Sequence, residues 1–411
     1  MAIVKFVEVC EKIGSGATPR GGKEAYSDEG ISLVRSQNVL DFSFSSDGLV
    51  HINDEQAKKL KNVELHPDDV LLNITGDSVA RACIMDSSFL PARVNQHVAI
   101  VRGKKELVLN SYILYYLQWK KDYLLQLASA GATRNALTKG MIEQLDINLP
   151  SLTEQKRIVA VLDSIQQKIS VNKKINDNLQ QQAQTLFREW FIDNPDAVTW
   201  KEGTFSDLIE KIISGDWGKD APSGNNKEMV YCIRGADIPE VRAGNKGKMP
   251  TRYILPKNYA AKQLVDGDIV VEISGGSPTQ STGRAAAVST ALLDRYDKGM
   301  VCTNFCKALK PVAGYSMYVY HYWLHLYDMG VFFSYENGTT GIKNLDITGF
   351  IETEPILIAP ADLVEKFDAF CQSIFAKVYA NGFENEQLAL IRDTLLPKLM
   401  TGEVDVSEIE I

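Results

Sequence analysis

The sequence repeats itself, and this repeat constrains the fold more than any single motif does. Displacing the chain by 199 residues places residues 6–20 (FVEVCEKIGSGATPR) on residues 205–219 (FSDLIEKIISGDWGK), with six of fifteen positions identical. Roughly one identity in fifteen is expected by chance from average composition. The same displacement aligns residues 33–39 with 232–238, pairing Arg35 with Arg234, and residues 68–76 with 267–275. We therefore expect two copies of one globular plan.

The register of the repeat changes after Gly76, because the second copy carries extra polar residues around 276–284. We align residues 94–100 (VNQHVAI) with 303–309 (TNFCKAL) at a displacement of 209, which also holds from Lys156 to about Thr185. Between these blocks lie the aromatic-rich segments 111–127 and 316–333, each predicted to be one helix. Short aliphatic runs bounded by Gly, Asp and Asn predict strands in the globular part of each copy. A helical part follows Pro150 in the first copy and Pro360 in the second.

Composition places the chain among ordinary globular proteins. Its 411 residues correspond to two or three domains at roughly 100–200 residues each. No apolar run is long enough to span a membrane, and the N-terminal residues lack the pattern of a signal peptide. The six cysteines show neither a disulfide framework nor a C-x-x-C pair. We therefore expect a reduced, cytoplasmic protein without a membrane partner.

The charge of the chain gives conflicting indications about nucleic acid. A formal net charge of −8 opposes binding to phosphates, which requires Lys and Arg. Residues 78–139, however, contain nine basic and three acidic side chains. A locally basic surface is compatible with an acidic chain.

The helical parts carry a heptad pattern. Ser151 and Glu154 fit a capping box at the start of the first helix, and Asp362 and Glu365 are placed to start the second in the same way. Residues then recur at alternating steps of four and three, the spacing of a coiled-coil seam. The seam positions are Ile158, Leu162, Ile165, Asn172, Asn176 and Leu179 in the first helix and Phe367, Ile374, Asn381, Asn385 and Leu388 in the second.

Both seams contain asparagines at the same two steps, Asn172 matching Asn381 and Asn176 matching Asn385. Two polar seam positions could simply weaken each helix. Alternatively, the helices pair antiparallel, which brings the asparagines together and fixes the register at a loss of stability. From Ile158 to Leu186 the seam is about 42 Å long at 1.5 Å per residue, against roughly 34 Å for one turn of B-DNA.

The predicted fold is α+β. It consists of two duplicated globular domains with small β-sheets, joined by two long helices that form an antiparallel coiled coil, with pseudo-twofold symmetry. In such a protein, the coiled coil would hold the two similar globular domains apart.

The glycine-rich stretch GSGATPRGGK at 14–23 looks like a phosphate-binding loop but lacks the required pattern. A Walker A loop needs G-x-x-x-x-G-K-[ST], whereas the residue five before Gly22 is Ala17, and Glu24 follows Lys23. The sequence also lacks the tetrapeptide N-P-P-[YF] or D-P-P-[YF] of amino-methyltransferases and the H-x-E…P-C-x-x-C signature of zinc deaminases. The sequence therefore predicts no catalytic residue and no metal site.

Two features of the aromatic segments allow a functional interpretation. His321 and His325 are four residues apart, a spacing at which two histidines can share a metal. Without an H-E-x-x-H pattern, they are better interpreted as part of an amphipathic surface. The Tyr and Trp residues of 112–119 and 318–323 could stack on bases. Their helical spacing favours a place in the domain core instead.

The helical segments resemble those of the specificity (S) subunits of type I restriction–modification systems. Residues 148–165 (NLPSLTEQKRIVAVLDSI) look like the beginning of the central conserved helix of that family, and residues 392–406 (RDTLLPKLMTGEVDV) look like its distal conserved end. Residues 14–19 (GSGATP) also match a family element, G-[GS]-x-T-P. The second copy departs from it, with Asp216-Trp217-Gly218 at this place. The resemblance covers essentially the whole chain.

The resemblance implies four parts: target recognition domain 1 at residues 1–150, a central conserved helix at 151–195, target recognition domain 2 at 196–360, and a distal conserved helix with the C-terminal tail at 361–411. Each recognition domain would read one half of a bipartite, asymmetric target in double-stranded DNA, and the helices would set the unread spacer. Two modification (methyltransferase) subunits would bind along the conserved helices and bring S-adenosylmethionine. Restriction subunits, with ATP and Mg²⁺, would translocate and cleave. The chain itself would be non-catalytic and hold no cofactor.

Loop residues of suitable chemistry are the candidates for DNA contacts. Phosphate contacts position a protein, while Arg, Asn and Gln can read base edges. In the first copy the candidates are Arg20, Lys23, Arg81 and Arg134 for positioning and Ser36, Gln37 and Asn135 for reading. In the second copy they are Lys219, Arg284 and Lys343 for positioning and Asp237, Gln280, Asn337 and Thr340 for reading. Each of them could instead be a solvated loop residue, and Arg35 and Arg234 could be structural ion-pair residues or DNA contacts.

Two other functions fit parts of the sequence. A coiled-coil scaffold that binds proteins but no DNA would suit the acidic net charge, but not the duplicated loops rich in Gly, Arg and Asn. A specificity subunit that serves modification alone has the same sequence features as one that also serves restriction.

Overall fold

The computed structural model describes residues 2–19, 21, 25–129, 135–275, 280–338 and 341–409. The chain divides into two compact units. The first unit comprises Met1–Lys168 and Leu388–Ile411, and the second comprises Ile169–Gln387. None of the helices among the described residues is long and apolar enough to cross a membrane.

The secondary structure alternates short strands with helices. The strands are β1 (Ala2–Lys5), β2 (Cys10–Ser15), β3 (Ile31–Val34), β4 (Val50–Ile52), β5 (Val70–Asn73), β6 (Ala82–Ile84), β7 (Ala92–Val94), β8 (Val98–Gly103), β9 (Asp146–Leu149), β10 (Lys201–Thr204), β11 (Ile209–Ser214), β12 (Glu228–Ile233), β13 (Thr251–Ile254), β14 (Ile269–Glu272), β15 (Ser274–Gly275), β16 (Ala285–Ala287), β17 (Met300–Cys302), β18 (Cys306–Pro311), β19 (Glu336–Asn337), β20 (Lys343–Leu345) and β21 (Pro355–Ile358). The helices are α1 (Phe6–Val9), α2 (Asp54–Lys59), α3 (Asn110–Trp119), α4 (Lys121–Ser129), α5 (Lys139–Glu143), α6 (Leu152–Phe187), α7 (Ile238–Arg242), α8 (Pro256–Lys262), α9 (Thr290–Leu293), α10 (Ser316–Asp328), α11 (Ile347–Thr353) and α12 (Ala361–Thr401).

Small sheets form the globular part of the first unit. Strands β2, β8, β5 and β6 make an antiparallel sheet in that order, and β4, β3 and β7 make a second one, in which β3 and β7 are parallel. Strand β5 is buried at every position, as its sequence VLLN indicates. Strands β1 and β9 pair antiparallel, so the two ends of the globular part lie side by side.

The second unit has the same strand order and the same strand directions. Strands β11, β18, β14 and β16 form the antiparallel sheet, β13, β12 and β17 form the sheet with one parallel pair, and β10 pairs with β21. The hairpin β19–β20 additionally pairs with β15. At the corresponding place the first unit has the bridge between Thr75 and Ala136.

Strand pairing corrects the predicted register of the repeat. Strands β2 and β5 correspond to β11 and β14 at the expected displacement of 199, but β7 and β8 correspond to β17 and β18 at 208. The Asn95 N–H donates to Val34, as the Thr303 N–H donates to Ile233. The predicted displacement of 209 is therefore wrong by one residue. It matched Asn95 with the identical but non-equivalent Asn304.

The aromatic segments lie in the cores, as their helical spacing indicated. The buried residues are Tyr112, Tyr115 and Tyr116 in the first unit and Tyr318, Tyr320, Tyr322 and Trp323 in the second. Neither segment is one continuous helix, however. The first breaks at Lys120, between α3 and α4, which places Leu124 and Ala128 in the same core as α3. The second ends as α10 at Asp328 and continues as a 3-10 turn, Val331–Tyr335.

The two long helices run antiparallel where they meet in the second unit. The Asn381 Nδ2 donates to Asn176 Oδ1 at 2.8 Å, and the Asn172 Nδ2 donates to Asn385 Oδ1 at 3.0 Å. These asparagines are at most 6% exposed. Buried amides need hydrogen-bond partners, so the two pairs specify one register. Asn172 thus faces Asn385, and Asn176 faces Asn381.

The predicted seam positions are buried or half-buried in their units. The capping box at the start of α6 is confirmed, because the Glu154 N–H donates to Ser151 Oγ and the Ser151 N–H donates to Glu154 Oε2. The second predicted cap is wrong. Helix α12 begins at Ala361, so Asp362 lies within its first turn, where it pairs with Lys366 at 3.5 Å.

Candidate nucleic-acid interface

The glycine-rich stretch begins with the last two residues of β2, Gly14 and Ser15, and Gly16 lies beside the end of β7. A Cβ atom on Gly16 would overlap the carbonyl oxygen of Val94, and one on the equivalent Gly215 would overlap that of Thr303. The recurring glycine is thus explained by close backbone packing, without a bound phosphate. Arg20 and Lys23 lie outside the described residues.

The turn between β7 and β8 adjoins this loop in the first unit and is held by polar side chains. The Thr18 Oγ1 donates to Gln96 Oε1, and the Gln96 Nε2 donates to His97 Nε2 at 2.9 Å. The other ring nitrogen, His97 Nδ1, is hydrogen-bonded to Thr75 Oγ1 at 2.6 Å. Both ring nitrogens of His97 are therefore engaged.

The equivalent turn in the second unit exposes an aromatic ring, that of Phe305, beside the polar side chain of Asn304. Phe305 takes the place of His97, because its carbonyl accepts from the Ile273 N–H at 2.9 Å, as the His97 carbonyl accepts from the Ile74 N–H at 3.0 Å. Trp217 stands 199 residues after Thr18, with Arg252 4.0 Å from its ring centre. Phe305 is 63% exposed and Trp217 is 38% exposed.

Arg81 and Arg284 also occupy equivalent places, since their carbonyls accept from the N–H groups of Asn73 and Glu272, each at 2.8 Å. Their side chains differ in environment. Arg284 donates twice to Glu272, at 2.7 Å each, and these hydrogen bonds raise its pKa. The Asn73 amide instead donates to Ser36 at 2.8 Å. Among the described residues, the half-buried Arg81 side chain has no hydrogen bond or ion pair comparable to that of Arg284.

Side chains after β3 hydrogen-bond to backbone carbonyls of the loop that follows them. The Gln37 Nε2 donates to the carbonyls of Asp47 and Gly48 at 3.2 Å each, and Arg35 donates to the Gly48 carbonyl at 2.5 Å. Gln37 is exposed, whereas Ser36 is half-buried. Arg35 is thereby a structural residue, although it forms no ion pair with a described residue.

The corresponding loop of the second unit contains the ion pair expected at the recurring arginine. Arg234 donates to Asp237 through Nε at 2.8 Å and through Nη2 at 3.0 Å. Asp237 is only 2% exposed and also accepts from the Lys248 N–H. A base-reading role for Asp237 would require this ion pair to open.

The remaining described candidates lie in loops or in the β19–β20 hairpin. Asn135 is exposed, and its carbonyl accepts from the Gly76 N–H at 3.1 Å. Lys343 pairs with Glu336 at 2.8 Å in the β19–β20 hairpin. Lys219, Gln280 and Asn337 are exposed, while Arg134 and Thr340 lie outside the described residues.

Part of the basic excess at 78–139 is used inside the first unit. Arg102 donates to Asp69 at 2.6 and 2.7 Å, and Asp69 is fully buried. Arg93 is 7% exposed and lies 3.5 Å from Glu64. The count of basic residues in the sequence thus exaggerates the positive charge offered to a partner.

His321 is not part of an exposed surface, contrary to the prediction, whereas His325 is half-buried. His321 is 3% exposed, hydrogen-bonds to Gln184 Oε1 at 3.0 Å, and has its pKa lowered to about 3 by burial and by Arg242. It lines a cavity of about 250 Å³ with Gln184 and Arg242. Among the described residues, no cluster of His, Cys, Asp or Glu is arranged to hold a metal ion. All six cysteines are buried and unpaired.

Sequence reasoning missed the turn residues Gln96, His97 and Phe305. The misaligned displacement of 209 placed Cys306 opposite His97, and Cys306 is buried. A displacement of 208 would have shown that an imidazole and a phenyl ring stand at the same place of the two units.

The chain is similar to proteins of one family over nearly its whole length. Residues 1–181 match the family described as type I restriction modification DNA specificity domain. The specificity subunit of the type I restriction enzyme MjaIX from Methanocaldococcus jannaschii is 25% identical, covering 99% of this chain and 94% of that protein. The specificity subunit of the type I restriction enzyme HindI from Haemophilus influenzae is 22% identical, covering 91% and 94%.

The fold is also similar to a solved structure. The S subunit of a type I restriction–modification system from M. genitalium matches with a TM-score of 0.54 at 13% sequence identity, covering 97% of this chain and 95% of that one. At this identity the likeness concerns the fold alone.

Proposed function

We propose that the chain is a specificity subunit of a type I restriction–modification system and that it selects the DNA sequence on which a methyltransferase complex acts. The observation that carries the proposal is the extent of the similarity, which spans 99% of the chain against one such subunit and 91% against another. The relatives therefore match both units and both long helices. The protein would act in the cytoplasm as a non-catalytic subunit.

Each unit would be a recognition domain that reads one half of a bipartite target. The shared strand order of the two units supports this, because duplication of one domain produces such a pair. Different side chains at equivalent places, such as His97 and Phe305, would let the halves differ in sequence. The helices α6 and α12 would form a coiled coil that sets the number of unread base pairs.

The same helices would dock two methyltransferase subunits. Several large apolar side chains on them are exposed, which is typical of a surface that binds another protein. They are Val171, Ile175, Phe370, Phe383, Leu390 and Ile391. The methyltransferase would bring S-adenosylmethionine and take the target adenine out of the base stack. Restriction subunits would supply ATP-driven translocation and Mg²⁺-dependent cleavage, so this chain would need no cofactor.

Co-expression with its methyltransferase subunit, followed by mapping of methylated bases, tests this function. We expect methylation at one bipartite sequence with a spacer of fixed length. The methyltransferase subunit alone should leave the DNA unmodified. Stable assembly without sequence-specific methylation or binding would favour the coiled-coil scaffold instead.

Arg81 and Arg284 should respond differently to replacement by alanine. Arg81→Ala should weaken DNA binding by about threefold to tenfold and lower the salt dependence by about one counterion, since it removes one phosphate contact. Arg284→Ala should instead destabilise the second unit by about 2–3 kcal/mol, because Glu272 is left buried without its partner. Salt-dependent binding and denaturant unfolding distinguish the two. Equal effects of the two variants on DNA binding would contradict the assignment.

A further inference from the structure

The turn between β17 and β18 presents an aromatic ring to solvent on a fixed backbone. Phe305 is 63% exposed. Its N–H donates to Thr303 Oγ1 at 3.1 Å, its carbonyl accepts from Ile273 at 2.9 Å, and the Cys306 N–H donates to the Thr303 carbonyl at 2.9 Å. The exposure of the ring is therefore set by a hydrogen-bonded turn.

Adjoining loops add further exposed apolar side chains. The loop with Trp217 is joined to the end of β17 by the hydrogen bond from the Asp216 N–H to the Cys302 carbonyl at 2.8 Å. Ile342, 62% exposed, directly precedes β20, which pairs with β15 next to Ile273. Trp217 and Ile342 are thus exposed apolar side chains on loops that adjoin the same strands as Phe305.

The equivalent turn of the first unit has matching backbone hydrogen bonds but an imidazole in place of the phenyl ring. There, His97 is held by Gln96 and Thr75, and Thr18 stands in place of Trp217. The two units thus present a hydrogen-bonded polar network and an apolar ring from one scaffold. Two domains that read different sequences need such a difference at a surface that meets the DNA bases.

We propose that Phe305 contacts the methyl group of a thymine in the half-site read by the second unit, an inference that rests on the proposed function. In the major groove, the thymine methyl is the apolar group among base edges that otherwise offer donors and acceptors. A phenyl ring cannot hydrogen-bond, so it distinguishes bases by removing that methyl from water. Because the turn is already fixed, binding does not have to order it.

Replacing thymine by uracil removes only the methyl group and therefore tests this contact. The assembled complex with its methyltransferase subunits binds duplexes in which each thymine of this half-site is replaced singly. We expect one position at which uracil weakens binding about fourfold, the effect of losing one buried methyl group. Phe305→Ala should weaken binding to the thymine duplex by at least that factor and show no further loss at the uracil position.

Val265→Ala is the matched control, because Val265 is 44% exposed but precedes β14, at the other end of that strand from Ile273. It should keep the sensitivity to uracil. The inference is wrong if Phe305→Ala remains sensitive, if no thymine of the half-site is methyl-sensitive, or if the variant weakens only assembly with the methyltransferase. A wild-type complex without any sequence preference would instead overturn the proposed function.

Discussion

Exchanging residues 1–150 for the recognition domain of another specificity subunit should replace one half of the DNA target and leave the other half and the spacer unchanged. Strand β1 pairs with β9, with Ala2 opposite Leu149, so both ends of the exchanged segment lie side by side. The first and last strands of the new domain would pair with each other just before Ser151, the residue that caps α6. Each base pair in a site contributes about 1–3 kcal/mol, so the original sequence should lose its methylation entirely.

The incoming domain must still pack on α6, where Ile158 and Leu162 belong to the core of the first unit and Asp163 accepts a hydrogen bond from Tyr115 at 2.7 Å. Methylation mapping in cells that express the chimera with the methyltransferase measures the result. The reciprocal control exchanges residues 196–360, whose strands β10 and β21 pair in the same way. It should change the other half only. If either exchange alters both halves, the units do not read DNA independently.

The repeat could be predicted where the strands are buried throughout. In β5 and β14, VLLN and IVVE differ at all four positions but are apolar at the same places, and the predicted register there agrees with the strand pairing. At the β7–β8 turn, the chance identity of Asn95 and Asn304 led to a displacement of 209, although the strands correspond at 208. Loop residues are little constrained by burial, so letter identity is a poor guide to their register.

Interactions between distant residues could not be predicted from the sequence. The sequence allowed a positioning role for both Arg81 and Arg284. Their environments differ because the neighbouring strand carries Asn73 beside Arg81 and Glu272 beside Arg284. The sequence allowed a base-reading role for Asp237, but in the structure its carboxylate accepts hydrogen bonds from the Arg234 side chain and the Lys248 N–H. The spacing of His321 defines a helix face, but it does not show that Cys371 and Phe367 of α12 cover that face. A sequence shows the chemistry of each side chain, but it does not show which other residue forms a hydrogen bond or ion pair with that side chain.

Replacing Leu390 and Ile391 together by aspartate should release a methyltransferase subunit from the chain. These residues are 63% and 48% exposed on α12, while the next turn of this helix buries Leu396, Leu399 and Met400 in the core. If the exposed pair lies at the centre of the docking surface, each aspartate would place an unpaired charge in a desolvated contact. Such a change should weaken the association about 100-fold. Native mass spectrometry of the co-expressed proteins would measure the loss.

The fold should survive this change, because both side chains point to solvent; unfolding curves of the double variant and the wild type should coincide. Tyr123→Asp, at a half-exposed apolar position on α4, away from the two long helices, is the matched control and should keep full assembly. Val171 and Ile175, 49% and 36% exposed one turn apart on α6, allow the same test in the second unit. If two subunits bind each chain, either double variant should retain one of them and only their combination should lose both. Unchanged assembly in the combined variant would exclude these helix faces as the docking surface.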